Sequence, residues 1–536
     1  VKWFLQSCIR ISSYLTGAVL MVFSLVPAST VTASTMPFDD IKGSFAEQSI
    51  IQMHAKGYLN GMNDRQFSPK ADMTRGEWVA VLDRIFGLQP VYSSVAAFRD
   101  VKTNDWYYGS VEAAVNVGMI QGTSSSTFMP KSPITRQETA VMLSRLMTST
   151  PAAAVCTRYT DDSDIASWAT AAVCQAGQKG LMIGSDGQFN PQNPLTREEA
   201  AVLLQRLTQV VEVNESAAEP IQLGWQYDQT TEQYKSSVIH STINTLSPRW
   251  YFLEDEGSQI SSSADTSLLN WAEQHGKQVW PMFGNRSNAD STHLMLTDSA
   301  RKKQIIHLLT DEVQKYSLDG IVLDLENVYP LDRNALTAYV KELAAALHQA
   351  GAVLSICVSP DQGSDWTAAF DYASLGNAAD YIILMGYDEH WAGRADPGSV
   401  ASLPWVEQGL DSLLNEVRAD HIILAMPLYT RDWSIDDNNR TAAETDIDLI
   451  QQNLLTSLMN KQVSWSGTLG QYTGSYYDNQ NVLHKIWLEE GRSLSLKMQL
   501  GLNEHISGFA YWYTGGASDD VWTSLKNAES YHNRVF

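Results

Sequence analysis

Apolar residues follow two different rhythms along this chain, one in each half. Up to about residue 210 they recur at helical spacing in short amphipathic blocks. Residues 106–117 form one such block, and Gly118 follows where a left-handed cap ends a helix. A turn carrying Phe128 and Pro130 comes next, and Thr135 opens a second amphipathic block. The unit is therefore helix, loop, helix, and it occurs three times. Thr74, Thr135 and Thr196 stand 61 residues apart, each starting a Thr-Arg-x-Glu run. Phe67, Phe128 and Phe189 keep that step, as do Pro69, Pro130 and Pro191. Phe45 matches Trp106, and Trp168 follows one residue out of step. The copies span roughly 38–90, 98–148 and 159–209.

Beyond about residue 220 the rhythm changes to short β-rich runs. These are 221–227, 250–253, 279–283, 320–326, 354–359, 381–387, 422–429 and 508–513. Helical patterns such as 300–316, 333–349 and 406–417 lie between most of them. Eight strands alternating with helices predict an α/β fold, a (β/α)8 barrel. The alternative is a doubly wound open sheet, but no Gly-rich phosphate loop follows any strand. The stretch 431–507 is too long for a plain crossover. It reads as an α+β insertion between strands seven and eight that walls one side of a groove.

Local chemistry sharpens both halves. In each repeat the Thr oxygen and the Glu three residues on form a capping box, a structural duty. Arg75, Arg136 and Arg197 fall in the first helical turn, where the helix dipole disfavours a cation. A cation beside free helix N–H groups makes an anion site. In the second half, the run DGIVLDLEN alternates across a strand. Ile321, Leu323 and Leu325 face the helices, while Val322, Asp324 and Glu326 face the barrel interior. Two carboxylates this close do not both ionise easily, which suits a general acid. Met385, Tyr387 and Asp388 end strand six, and Trp512 ends strand eight, at the rim where such barrels carry their sites. Asp319, at the strand's other end, is expected to be structural.

Composition narrows the setting. The chain has 536 residues, 44% hydrophobic and 18% charged, which fits several globular domains. Its net charge of −23 argues against nucleic acid as a partner. Sixteen Trp and 22 Tyr fit either aromatic cores or sugar-stacking platforms. Lys2 and Arg10, an apolar stretch over 14–27 and Val31-Thr32-Ala33 read as a cleaved export signal over 1–34. No transmembrane segment is expected after its removal. Cys8 leaves with the signal, Cys156 and Cys174 are able to pair in an oxidising compartment, and Cys357 reads as inert core. No metal-ligand spacing is present.

The three repeats resemble S-layer homology (SLH) domains, through the threonine-arginine-x-glutamate signature. That resemblance implies a trimeric arrangement binding an anionic secondary cell-wall polymer through Arg75, Arg136 and Arg197. The first copy departs, with Gly76 inside its signature and Phe45 for Trp. The second half resembles family 18 glycoside hydrolases, whose strand-four motif is D-G-x-D-x-D-x-E. The resemblance implies Glu326 as proton donor and Asp324 as the group orienting the substrate's acetamido. It also implies Tyr387 as donor to the acetamido oxygen, Asp388 beside it and Trp512 under the −1 sugar, with no metal or cofactor. The motif's second Asp is here Val322. The runs MGYDEHWAG, PLYTRDW and HKIWLEEGRSLSLK resemble the spore-cortex-lytic branch, which acts on peptidoglycan. Glu389, Trp433, Trp487 and Glu489 match that branch's patterns, which fits residues lining the groove and equally residues packed behind it.

The organisation expected is a signal over 1–34, SLH repeats over 35–92, 93–152 and 153–211, a linker over 212–220 and a catalytic barrel over 221–536. Three functions compete: a wall-anchored N-acetylglucosaminidase on peptidoglycan, a surface chitinase, and a non-catalytic glycan-binding or S-layer protein.

Overall fold

The computed structural model describes residues 36–147, 159–213, 219–361, 363–456, 459 and 463–535. The expected signal, Cys8 and Cys156 lie outside them. Cys174 is disulfide-bonded and Cys357 is a free, buried thiol.

Each repeat is two helices: Glu47–Ala55 with Arg75–Phe86, Tyr108–Asn116 with Arg136–Leu146, and Thr170–Gln178 with Arg197–Val210. Thr74, Thr135 and Thr196 cap the second helices, and Glu77, Glu138 and Glu199 complete the capping boxes. The second helix of each repeat packs on the first helix of the next, and the third returns to the first. Signature side chains lock this ring. Arg75 pairs with Glu138 at 2.9 Å, Arg136 with Glu199 at 2.9 Å, and Arg197 with Glu77 at 3.7 Å. Their Nε groups donate to the carbonyls of Phe128, Phe189 and Phe67, each at 2.8 Å.

This arrangement corrects one expectation. The helix N-termini offer no free amides at the signature. Arg75 N donates to Ser132 O and Gly76 N to Pro130 O, and the other two repeats do likewise with Asn193, Pro191, Ala71 and Pro69. The neighbouring turn takes the place an anion would occupy, a long-range contact that capping rules do not foresee.

The second half closes into a barrel. Strand one is Ile221–Gln226. Strand two is Thr245–Pro248 continued by Tyr251–Leu253, and strand three is Gln278–Val279 continued by Met282–Gly284. Strands four to eight are Gly320–Asp324, Val353–Val358, Tyr381–Met385, Ile422–Pro427 and Gly508–Trp512. All neighbours are parallel, and strand eight returns to strand one through Ala510↔Leu223. The interior is filled by Leu223, Trp225, Trp280, Met282, Val322, Cys357, Ile383, Ile423, Ala425 and Ala510. Ile321, Leu323 and Leu325 pack outward against the helices, as the alternation requires. Asp319 accepts the amide of Val279 at 2.8 Å, fixing the start of strand three.

A second sheet is inserted after strand seven. Its strands Tyr429–Ile435, Thr441–Asp448, Ser464–Ser466, Gln471–Tyr477 and Leu483–Leu488 are antiparallel. The insertion is smaller than 431–507 suggested. Helix Gly491–Asn503 lies between Leu403–Leu414 and Asp519–His532 and belongs to the barrel wall.

The repeats sit directly on that wall. Asn527 exchanges hydrogen bonds with the backbone of Gln89, at 2.7 and 2.8 Å, and Asn116 donates to Ser524 at 3.1 Å. Glu112 is buried there, accepting the Ala97 amide at 2.9 Å, and burial pushes its carboxyl up to about 8. Part of the expected linker is not loose either, since Glu212–Val213 pairs with Arg534–Val535. Replacing Arg75 with Met strands Glu138 and the Phe128 carbonyl. It is expected to lower the stability of the repeat module by about 2–3 kcal/mol, read from its denaturant midpoint in the full chain.

Candidate active site

Strand four delivers Asp324 and Glu326 to the rim, on the inner face that begins with buried Val322. Asn285, at the end of strand three, clamps the backbone beyond it. Its Nδ2 donates to Glu326 O at 2.8 Å, and its Oδ1 accepts Glu326 N at 3.0 Å. Ser287 then donates its hydroxyl to Glu326 Oε2 at 2.7 Å, which fixes the carboxylate's direction. Arg286 and Ser287 both hold positive φ, 51° and 56°, in the turn that makes this approach.

Asp324 sits deeper. Its Oδ1 is buried and has no nitrogen or oxygen partner among the described residues. Burial raises its carboxyl to about 7, the charge of Glu326 adds to the rise, and Arg249 opposes it. Cys357 lies beside it, one step past the Leu323↔Ile356 register pair. Burial first, then Asp324 and Glu326, push that thiol up as well. The thiol expected to be inert core therefore belongs to the site's floor, and the inward alternation Ser355, Cys357 was the signal for it.

Glu326 faces a cavity of about 580 Å³ together with Met385, Tyr387, Asp388, Trp366, Trp391 and Arg431. Burial pushes the Tyr387 hydroxyl well up, and the neighbouring Cys357 and Asp324 add to the effect. Asp388 accepts the Tyr429 hydroxyl at 2.6 Å and pairs with Arg431 at 2.9 Å. Trp512 packs against Tyr227 and Trp225 at 5.2 and 5.8 Å, across the mouth from that cavity. Thus Glu326, Asp324, Tyr387, Met385, Asp388 and Trp512 do converge on one rim.

The outer residues do not. Trp433 is fully buried and donates its indole N–H to Gly398 O at 2.9 Å. Glu389 accepts the Ser402 amide at 2.8 Å, and Glu489 is wholly buried against Lys497 at 2.8 Å. Trp487 is half-buried in the inserted sheet, its carbonyl taking the Thr430 hydroxyl. Trp433 and Glu389 shape the strand-six loop that presents Trp391; they do not line the groove. Their motif match was real, but motif position does not report which way a side chain faces. Ser287, Trp366 and Trp391 were missed because they sit on loops with no periodic signal.

Comparison with known proteins agrees with this geometry. Glycosyl hydrolases family 18 matches residues 227–517, and the S-layer homology domain matches 37–77, 97–140 and 158–201. An uncharacterized glycosylase of Bacillus subtilis is 26% identical over 327 residues, 58% of this chain and 92% of that protein. The cortical fragment-lytic enzyme of Bacillus subtilis is 24% identical, over 51% of this chain and 64% of its own length. Among solved structures, a chitinase of Chromobacterium violaceum superposes with a TM-score of 0.54 at 24% identity, covering 58% of this chain and 99% of that one. The spore cortex-lytic enzyme of Bacillus cereus does so at 0.53 and 21%, covering 58% and 74%. No helix among the described residues is long and apolar enough to cross a membrane. The chain belongs to family 18 of the glycosyl hydrolases, a glycoside hydrolase carrying three S-layer homology domains ahead of its barrel.

Proposed function

We propose that this hydrolase cleaves β-1,4 bonds next to N-acetylglucosamine in peptidoglycan by substrate-assisted, retaining catalysis, while its repeats hold it to a wall polymer. The observation that supports the chemistry is the carboxyl pair on the inner face of strand four, Asp324 with its Oδ1 buried and Glu326 opening on the cavity. Glu326 gives its proton to the glycosidic oxygen. The 2-acetamido carbonyl oxygen attacks the anomeric carbon from the other face, forming an oxazolinium ion. Asp324 orients and stabilises that acetamido group, and the Tyr387 hydroxyl donates to its oxygen. Water then attacks the anomeric carbon, gives its proton to Glu326, and the ring opens with configuration retained. Val322 offers Asp324 no second carboxylate to turn toward, so Asp324 keeps its place beside Glu326 through the cycle. The likeness to cortical fragment-lytic enzymes favours peptidoglycan over chitin. For the repeats, the clefts between copies supply the contact: Arg136 reaches one beside Lys70, Arg206 and exposed Phe45, and Arg197 another beside Arg84 and exposed Trp106.

Glu326→Gln is expected to lower kcat on purified glycan strands by about 10³-fold or more while leaving strand binding intact; normal digestion refutes the assignment. The pH profile has a defined sign. A carboxyl raised to about 7 keeps the pair's proton below that pH and loses it above, so kcat/KM should fall as pH rises through about 7. A profile flat from pH 6 to 9 contradicts this. Replacing Arg136 and Arg197 together with Gln should release the protein from isolated walls in a sedimentation assay, and unchanged sedimentation rejects the anchoring role.

A further inference from the structure

Two arginines stand at the rim, at strands two and three, and form no ion pair among the described residues. Arg249 lies in the break between the two segments of strand two. Its guanidinium carbon is 5.0 Å from the Tyr227 ring centre, 5.2 Å from Phe252 and 5.6 Å from Trp512. Its Nε is buried and has no hydrogen-bond partner among the described residues. Arg286 comes from the strand-three turn, between Asn285 and Ser287, the two residues that hold Glu326. Its guanidinium carbon is 4.3 Å from the same Phe252 ring, and among the described residues it donates only to Ser261, at 3.3 Å.

Neither arginine forms an ion pair among the described residues, although the chain carries 60 acidic residues against 37 basic ones. Two cations on one aromatic ring repel each other, and the cheap remedy would be a nearby carboxylate from this acidic chain. Arg249 does act on Asp324, opposing the rise that burial and Glu326 cause in that carboxyl. Planar guanidinium groups held on aromatic faces, with donor edges unspent, fit an incoming carboxylate. The location fits too. Running round the rim from strand eight through one, two and three to four, this arc carries Trp512, Arg249, Arg286 and Glu326. Trp366 and Trp391 stand on the opposite arc, after strands five and six.

We propose that Arg249 and Arg286, gathered on the Phe252 ring, form a subsite for a carboxylate carried by the glycan, so that the enzyme selects acidic strands over neutral ones. This rests on the hydrolase reading above and deepens it by naming what the groove recognises. The carboxylate has two sources in peptidoglycan: the lactyl group of the sugar itself, or the peptide attached to it.

The full chain is assayed on four substrates: peptide-bearing strands, peptide-free strands, peptide-free strands with carboxylates reduced to alcohols, and chitin oligosaccharides. Wild type should prefer peptide-free strands over their reduced form by about tenfold or more in kcat/KM, through KM, and lose that preference as salt rises. Arg286→Gln, an exposed side chain, should remove the preference and leave the reduced strands within about twofold of wild type; Arg249→Met should also remove the preference, and because Arg249 acts on Asp324 and lies against Trp512 its activity on reduced strands should fall too. A preference confined to peptide-bearing strands assigns the subsite to the peptide's carboxylates. Cleavage indifferent to carboxylate reduction and to both substitutions overturns the subsite and spares the hydrolase reading. If wild type cleaves no glycan, that reading fails instead, and equilibrium binding of the Glu326→Gln chain to carboxylated against reduced strands still decides the subsite.

Discussion

A carboxyl group kept out of water is easier to leave protonated than to ionise, and a second carboxylate two residues along the same strand makes ionisation harder still. Asp324 meets both conditions at the rim of the barrel, with Glu326 as the second carboxylate. The pairing depends on closure. Only when strand eight joins strand one does the inner face of strand four lose access to bulk water, with Trp225, Trp280 and Met282 filling the space below. Asn285 and Ser287 then set where Glu326 points, and Cys357 lies beside Asp324 on the floor below.

The inserted sheet serves that rim at one remove. Arg431 pairs with Asp388 and with Asp446, and its guanidinium also donates to His390 O, so one cation ties the strand-six loop to the sheet. Trp433 holds the same loop through Gly398, and the buried Glu489–Lys497 pair joins the sheet to the barrel wall through Gln471 and Ser493. A fully buried ion pair of this kind contributes more to geometry than to net stability. The result is a rigid support for Trp391 and Tyr387 on one side of the cleft, facing the arginine-bearing arc on the other.

The S-layer homology module is likewise a built part of the enzyme. Its three helix pairs close through a ring of arginine–glutamate pairs, and its outer helices rest on barrel helices through Asn116, Gln89 and the tilted ring pair of Phe86 and Tyr531. A repeat module seated this firmly has a fixed orientation relative to the cleft. Residues of the signature that a sequence reader assigns to ligand binding are thereby shared with the work of holding the ring closed.

What the sequence determined by itself was whatever is written in local periodicity or short spacing. The 61-residue step gave the three repeats and their capping boxes, period-two alternation in DGIVLDLEN put Asp324 and Glu326 on the inner face, and strand ends marked Tyr387, Asp388 and Trp512. What only the tertiary structure decided was which polar groups meet across long stretches of chain. The signature arginines spend themselves on glutamates some sixty residues away or more, Trp433 and Glu489 turn inward, Glu212–Val213 pairs with the chain's far end, and Arg249 and Arg286 gather on Phe252. The physical reason is that periodicity fixes the face a residue occupies, whereas charge compensation and burial depend on neighbours that only folding brings into reach.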